Sequence, residues 1–485
     1  MHDEANAPVP FRGMLIDGEI VKASDSATLP SINPATEQAI GEIPDATPED
    51  VDRAVRAARG ASTAWSETPW STRAQILNRY ADVLSDHADE LAVLDAVDAG
   101  LPVKSMRADV LSAAAEIRYF AGLAGETKGR TFPSGPDALT YTEFVPYSVV
   151  ARIVPFNHPI KFIAGKVAAA LAAGCPVVAK PGEQTSLSAL RLAELVRELF
   201  PPGVINVITG TGRRAGEALV AHPDVPRVAF TGSVATGARI AQAGAATIKH
   251  VSLELGGKNP MIVFPDVDVP QAAAASVAAM NFARSMGQSC GSASRVFAHE
   301  DVYDEFVAAL ADKVGRLRVG DPLDPSTDMG PLAFREHYEK VMSLIAGGVA
   351  EGARLVSGGG RPAGLDTGFF LEPTVFADVT MRMRIAREEI FGPVVCVLRW
   401  RDYEQMIAEV NSLDVGLTGN VWTRDIAMAL RTARRIESGY ISVNGTGKRP
   451  AGAPFGGFKT SGIGKESSID ELLSYGREQS VTVTL

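Results

Sequence analysis

Between residues 149 and 255 the chain alternates short apolar runs with longer amphipathic segments, and this alternation narrows its fold more than any other feature. Residues 149–154, 176–179, 204–208, 227–230 and 250–255 have the length and composition of strands. Residues 160–173, 187–199, 213–221 and 234–245 carry helical spacing between them. Strands that are apolar on both faces, each followed by a helix, make a parallel sheet covered on both sides. Ligands of such sheets bind beyond the carboxyl ends of the strands, where several glycines of this segment also fall.

The flanking regions extend an α/β reading. Thr47-Pro48-Glu49-Asp50 has a capping hydroxyl, a proline for the first helical position and acids for the first turn. Val51, Ala54, Val55 and Ala58 follow at helical spacing, and further helical blocks span 72–96 and 103–121, so the first quarter is expected to be mostly helical. A second α/β block runs over 257–460, with strands expected at 261–264, 295–298, 394–398 and 440–443. Residues 480–485 alternate strictly, with Val481, Val483 and Leu485 on one face, as in an edge strand open to another chain. At 485 residues, two large domains are expected.

Composition removes several classes of function. With 47 basic and 57 acidic residues the net charge is −10, and no basic stripe offers a nucleic-acid surface. The apolar windows at 167–173 and 272–280 are short and alanine-rich, which excludes a membrane span. Three cysteines far apart are no disulfide framework and fit a reducing cytoplasm, and seven scattered histidines form no metal-ligand spacing.

The residues that bear chemistry are unevenly distributed. Glu254 lies beside Gly256-Gly257, and Cys290 is flanked by Ser289 and Gly291 rather than by bulky apolar side chains. A thiolate is a strong nucleophile and a carboxylate activates water, so the pair suggests covalent chemistry on a carbonyl. Asn157, between Pro155-Phe156 and His158-Pro159, is a neutral donor suited to an oxyanion, and equally a turn residue. Lys180 and Glu183, at the end of the next strand, suit ribose hydroxyls or a surface ion pair. Phe230-Thr231-Gly232-Ser233 turns into a helix N-terminus, where free N–H groups meet a pyrophosphate, although the usual dinucleotide glycine spacing is absent. Glu388-Glu389-Ile390-Phe391 sets acids beside an aromatic ring ahead of a strand. Cys175 and Cys396 read as buried and inert.

Taken in order, these motifs resemble the NAD(P)-dependent aldehyde dehydrogenase superfamily, in its hydrolytic, carboxylate-forming branch, over nearly the whole chain. The resemblance implies two Rossmann-type parallel-sheet domains and a small β oligomerisation flap. The cofactor domain would take 1–127 and 147–256, the catalytic domain 257–460, and the flap 128–146 with 474–485, joined by 461–473. It implies Cys290 as nucleophile, Glu254 as base, Asn157 and the Cys290 amide as oxyanion hole, and Lys166 and Glu466 as proton-relaying neighbours. Pro155, Phe156, Lys180, Glu183, Gly212, Phe230, Thr231, Gly232, Ser233, Leu255, Glu389 and Phe391 would hold NAD, with NADP as an alternative. Gly165, Ser289, Gly291, Lys448, Arg449 and Phe455 would line the pocket for a small-molecule aldehyde. Of these, Gly165 implies extra room, and Lys448 and Arg449 suit an anionic tail. The flap implies a cytoplasmic homodimer or homotetramer. The chain departs from the family in Phe156, where tryptophan is commoner, and in a run from Asn281 to Gly287 about two residues longer than usual. The rival readings are transfer of the acyl group to coenzyme A, and a non-catalytic scaffold.

Overall fold

The computed structural model describes residues 9–446 and 449–485. Five parallel strands, in spatial order Ile205–Val207, Val177–Lys180, Val150–Ile153, Arg227–Thr231 and His250–Glu254, form the middle of the first sheet. The chain enters at Val150–Ile153, winds outward one way, then returns to wind the other. Strand order therefore reverses between Val150–Ile153 and Arg227–Thr231, and a crevice opens beyond their carboxyl ends. Every residue of these two strands is buried, as strands covered on both faces require.

The second sheet runs Arg354–Ser357, Thr374–Ala377, Val394–Trp400, Arg295–His299, Pro260–Val263, Thr418–Trp422, Tyr440–Val443, parallel except for its first pair. Glu254 ends the last parallel strand of the first sheet, and six residues later Pro260 opens a strand of the second. Carboxyl ends of one sheet thus meet amino ends of the other. Cys290 approaches from the second side, in the loop that enters Arg295–His299. The expected α/β architecture is present, but only the first sheet presents carboxyl ends to the site.

A third, three-stranded sheet stands apart, with Gly476–Thr484 paired along its length to Ala138–Pro146, and Thr131–Phe132 beyond. The last strand of the chain is its edge, paired on one side only.

Several local expectations are corrected. The first quarter also contains strands: Met14–Ile16 and Glu19–Val21 extend the first sheet, and Thr28–Asn33 pairs with Gln38–Pro44. The turn Asp17-Gly18 has positive φ at both residues (55° and 77°), the geometry of a tight hairpin whose Asp-Gly signal is plain in the sequence. The helical block expected at 72–96 divides at His87 into Trp70–Asp86 and Ala88–Ala99. The helix expected at 160–173 breaks at Lys166 into Pro159–Gly165 and Ala168–Ala173. Gly165, a poor helix former, sits at the break.

The cap at Thr47 forms as its sequence implies. Its hydroxyl accepts the Asp50 N–H at 3.1 Å, and the Asp50 carboxylate accepts the Thr47 N–H at 3.0 Å. Replacing Thr47 by Ala should lower the unfolding free energy by about 1 kcal/mol, read from the urea midpoint at constant slope. An unchanged midpoint would show that water satisfies that helix end equally well.

Candidate active site

The cysteine loop is held by two asparagines. Asn259, just ahead of the Pro260–Val263 strand, donates its amide to the carbonyls of Cys290 (2.7 Å) and Ser292 (2.9 Å). Its own carbonyl accepts the Thr418 N–H at 3.0 Å, which ties the loop to two strands of the second sheet. From the first sheet, Asn157 donates to the Gln288 carbonyl at 2.8 Å. Gln288 in turn accepts the Ala333 N–H at 3.1 Å. Gly287 has φ 70°, and a Cβ there would strike the Gly392 carbonyl, so only glycine fits. One N–H of Asn157 is committed, its other is available, and its carbonyl oxygen is buried without a partner.

Beside this loop lies a cavity of about 840 Å³ whose walls include Ser289, Cys290, Gly291, Glu254, Lys166, Glu466, Thr231, Arg449 and Phe455. Cys290 is half-buried in its wall, whereas Cys175 and Cys396 are fully buried. Beneath Glu254 is a cluster of buried charges. Arg152 donates to Glu466 at 2.7 Å and to the Thr231 hydroxyl at 3.1 Å. Lys166 bridges Glu116 at 2.9 Å and Glu466 at 3.3 Å. Burial alone would raise Glu466, but Arg152 and Lys166 outweigh it and hold the carboxyl at about 2. Glu254 has no such partner. Burial, reinforced by the Glu466 charge, pushes it up to about 8, and among the described residues its Oε1 has no hydrogen-bond partner. Burial and the carboxylates of Glu254 and Glu389 likewise push the Cys290 thiol well above its ordinary value, while Arg449 pulls it down.

The remaining sequence-selected residues gather at the crevice of the first sheet, outside this cavity. Pro155 and Phe156 lie against Gly182, where a Cβ would come within 3.0 Å of the Phe156 nitrogen. Phe156 and Phe391 meet edge to face at 5.8 Å, within a group completed by Phe334 and His337. His337 donates to the Phe391 carbonyl at 2.7 Å, and burial lowers its pKa to about 4, so it stays neutral. Glu389 accepts the Gly257 N–H at 3.1 Å and lies where a Gly256 side chain would otherwise sit. Glu183 accepts the Gly212 N–H at 2.7 Å. The buried Lys180 ammonium donates only to the Pro181 carbonyl among the described residues, and burial lowers it to about 8. Ser233 caps the Val234–Ala245 helix, and the Phe230 ring fills the space a Gly232 side chain would need. The Leu255 side chain lies against Gly237 of that helix, where a Cβ would come within 2.7 Å.

This crevice fits a dinucleotide. It offers a helix N-terminus behind a glycine, in Lys180 two donors to spare, and in Glu389 an oxygen with no partner among the described residues. Sequence reading missed Asn259, Arg152, Glu116, Phe334 and His337. Only Asn259 had a local signal, since it directly follows Gly256-Gly257-Lys258. Lys448 lies outside the described residues. Arg449 lines the cavity and stacks on the Phe455 ring at 3.9 Å. Gly165 is a correction: it does not line the cavity, and a Cβ there would meet Glu116 Oε2 at 2.9 Å. The room expected from Gly165 is taken by the partner of Lys166.

Residues 20–481 match the model of the aldehyde dehydrogenase family. The chain is 45% identical over 465 residues to an aldehyde dehydrogenase, TropH, of Talaromyces stipitatus, covering 94% of this chain and 90% of that one. It is 43% identical over 475 residues to a hydroxyisobutyraldehyde dehydrogenase of Mycolicibacterium austroafricanum, covering 97% and 94%. The NAD+ complex of an aldehyde dehydrogenase from Bacillus cereus superposes with a TM-score of 0.95 at 40% identity, covering 100% of this chain and 98% of that one. The fold and the crevice therefore define a two-sheet oxidoreductase of the dinucleotide-binding kind. The chain belongs to the aldehyde dehydrogenase family.

The Glu254 shift has a consequence for stability. Its folded pKa of about 8 exceeds its ordinary 4.5, so the folded state is favoured below pH 4.5 and loses that advantage as pH rises through 8. Glu254→Gln should therefore be more stable than the parent above pH 8, by a few kcal/mol, with the gap shrinking on acidification. Equal melting profiles from pH 5 to 9 would contradict the shift.

Proposed function

We propose that the protein oxidises an aldehyde to its carboxylic acid with NAD, using Cys290 as nucleophile and Glu254 as base. The single observation that carries this reading is that the Cys290 thiol and the unpartnered buried Glu254 carboxyl open on one cavity. In the first half, Cys290 releases its proton to solvent in the cavity and Sγ bonds to the aldehyde carbon. The carbonyl electron pair moves onto oxygen, which takes hydrogen bonds from the free N–H of Asn157 and the amide of Cys290. NAD, when bound, supplies the acceptor for the hydride that leaves this carbon, so that a thioester to Cys290 remains. In the second half Glu254 takes a proton from water, the hydroxyl adds to the thioester, and the carbon–sulfur bond breaks to release the acid. Lys166 and Glu466, in contact below Glu254, give its proton a polar route away from the cavity. Because Glu254 is a base only when ionised, turnover should rise with pH through about 8.

The crevice residues divide the cofactor among them. Lys180 and Glu183 take ribose hydroxyls, Gly212, Gly232 and Ser233 face the phosphates, and Glu389 takes the second ribose. Pro155, Phe156, Phe230, Thr231, Leu255 and Phe391 form the walls. The Glu183 charge opposes a 2′-phosphate and favours NAD over NADP. Ser289, Gly291, Arg449 and Phe455 shape the aldehyde's approach. Three unpaired cysteines agree with a cytoplasmic enzyme, and the one-sided edge strand Gly476–Thr484 agrees with assembly into a dimer or tetramer.

Two experiments test this reading. Cys290→Ala should show no NAD reduction with any aldehyde, whereas Glu254→Gln should give a burst of one equivalent and then turn over about 10²–10⁴-fold more slowly. Coenzyme A should not raise the rate of the parent enzyme. Full turnover by Cys290→Ala, or an undiminished steady state in Glu254→Gln, would refute the assignment. Glu183→Gln should lower the preference for NAD over NADP about tenfold, as the ~1–4 kcal/mol between like charges about 4 Å apart implies. An unchanged ratio would locate that preference elsewhere.

A further inference from the structure

One stretch of the cavity wall, formed by His158, Lys161 and Arg284, gathers its donors on a single carboxylate. Asp109, on the Val103–Leu123 helix, is fully buried and receives three cationic or polar partners at once. His158 holds one oxygen, while Arg284 and Lys161 (3.8 Å) share the other. Burial lowers both His158 and Lys161 from their ordinary values, whereas Arg284 keeps its charge, so the guanidinium is the firm cation of this group. The cluster beneath Glu254 differs: Lys166 and Arg152 are matched there by Glu116 and Glu466.

Arg284 is also more available than Lys161. Its side chain is 45% exposed, and only one of its nitrogens is bonded to Asp109. It sits on the short Phe282–Ser285 helix, between left-handed residues Asn281 and Met286. Ala108, Phe162, Val277 and Ala278 give the same cavity an apolar wall for a carbon linker. A guanidinium with free N–H groups beside an ammonium and an apolar wall matches a carboxylate on a short apolar arm.

We infer that the aldehyde substrate carries a carboxylate at its far end, and that Arg284, backed by Lys161, receives it. This rests on the function proposed above and assigns specificity to residues other than Lys448 and Arg449.

The test compares ω-carboxyaldehydes of three lengths, and 4-carboxybenzaldehyde, each against its neutral carboxamide. The readout is the ratio of kcat/KM, acid over amide, within each enzyme, so that losses from misfolding cancel. The parent should favour the acid about ten- to hundredfold at its best length, the range of a charge-assisted hydrogen bond. Arg284→Gln should reduce that ratio about tenfold or more, and Lys161→Gln should reduce it less. Ratios near one with brisk turnover of the amides would overturn the inference while leaving the proposed function intact. So would a high ratio that neither variant changes. If neither acid nor amide reduced NAD with Cys290 present, the proposed function itself would fall, and this inference with it.

Discussion

A carboxyl group enclosed at the meeting of two sheets, with one oxygen bonded to nothing, is the constraint on which the rest of the site depends. Glu254 is buried at the end of its strand, so water cannot stabilise its charge. The charge that acts on it most strongly is another carboxylate, Glu466, which Arg152 and Lys166 keep ionised. Burial and repulsion together keep Glu254 protonated at neutral pH, and burial keeps the nearby thiol protonated too. The resting site therefore holds two weak acids side by side. A base of pKa near 8 is well matched to accepting a proton during turnover and giving it up again.

That arrangement needs the cysteine loop to be fixed from both sides, because its residues are in turns rather than in a sheet. Asn259 binds two carbonyls of the loop from the second sheet, and Asn157 binds a third from the first. The same Asn157 amide retains a donor for charge developing on substrate. One residue thus couples the position of the loop to the stabilisation of the reacting oxygen.

The parts of this molecule that were legible in the sequence are those specified locally. Four of the five strands of 149–255 are buried along their length and so read as apolar runs, and the Thr47 cap is written in four consecutive residues. The Asp17-Gly18 hairpin was equally local and was obscured only by strands of three residues each. Thr418–Trp422 hid for another reason. It contains Gly419 and Asn420, poor strand formers, and Gly419 is needed because a side chain there would meet Ile441 at 2.9 Å. The charge clusters were not legible at all. Arg152, Lys166, Glu116 and Glu466 come from three segments far apart in the chain, as do Asp109, His158 and Arg284, and no periodicity records which buried charges meet. Gly165 shows the same limit from the other side, since the space beside a glycine belongs to whatever the fold brings there.

The most direct measurement is the rate of alkylation of Cys290 by iodoacetamide as a function of pH in the free protein, followed by the mass of its peptide. A thiol held protonated by burial should react slowly at pH 7, with a rate still climbing above pH 9, where the ionised Glu254 opposes the thiolate, and Glu254→Gln should shift that curve to lower pH. A rate already at its plateau at pH 6, unmoved by the same substitution, would mean that the nucleophile rests as a thiolate and that the buried carboxyl does not govern it.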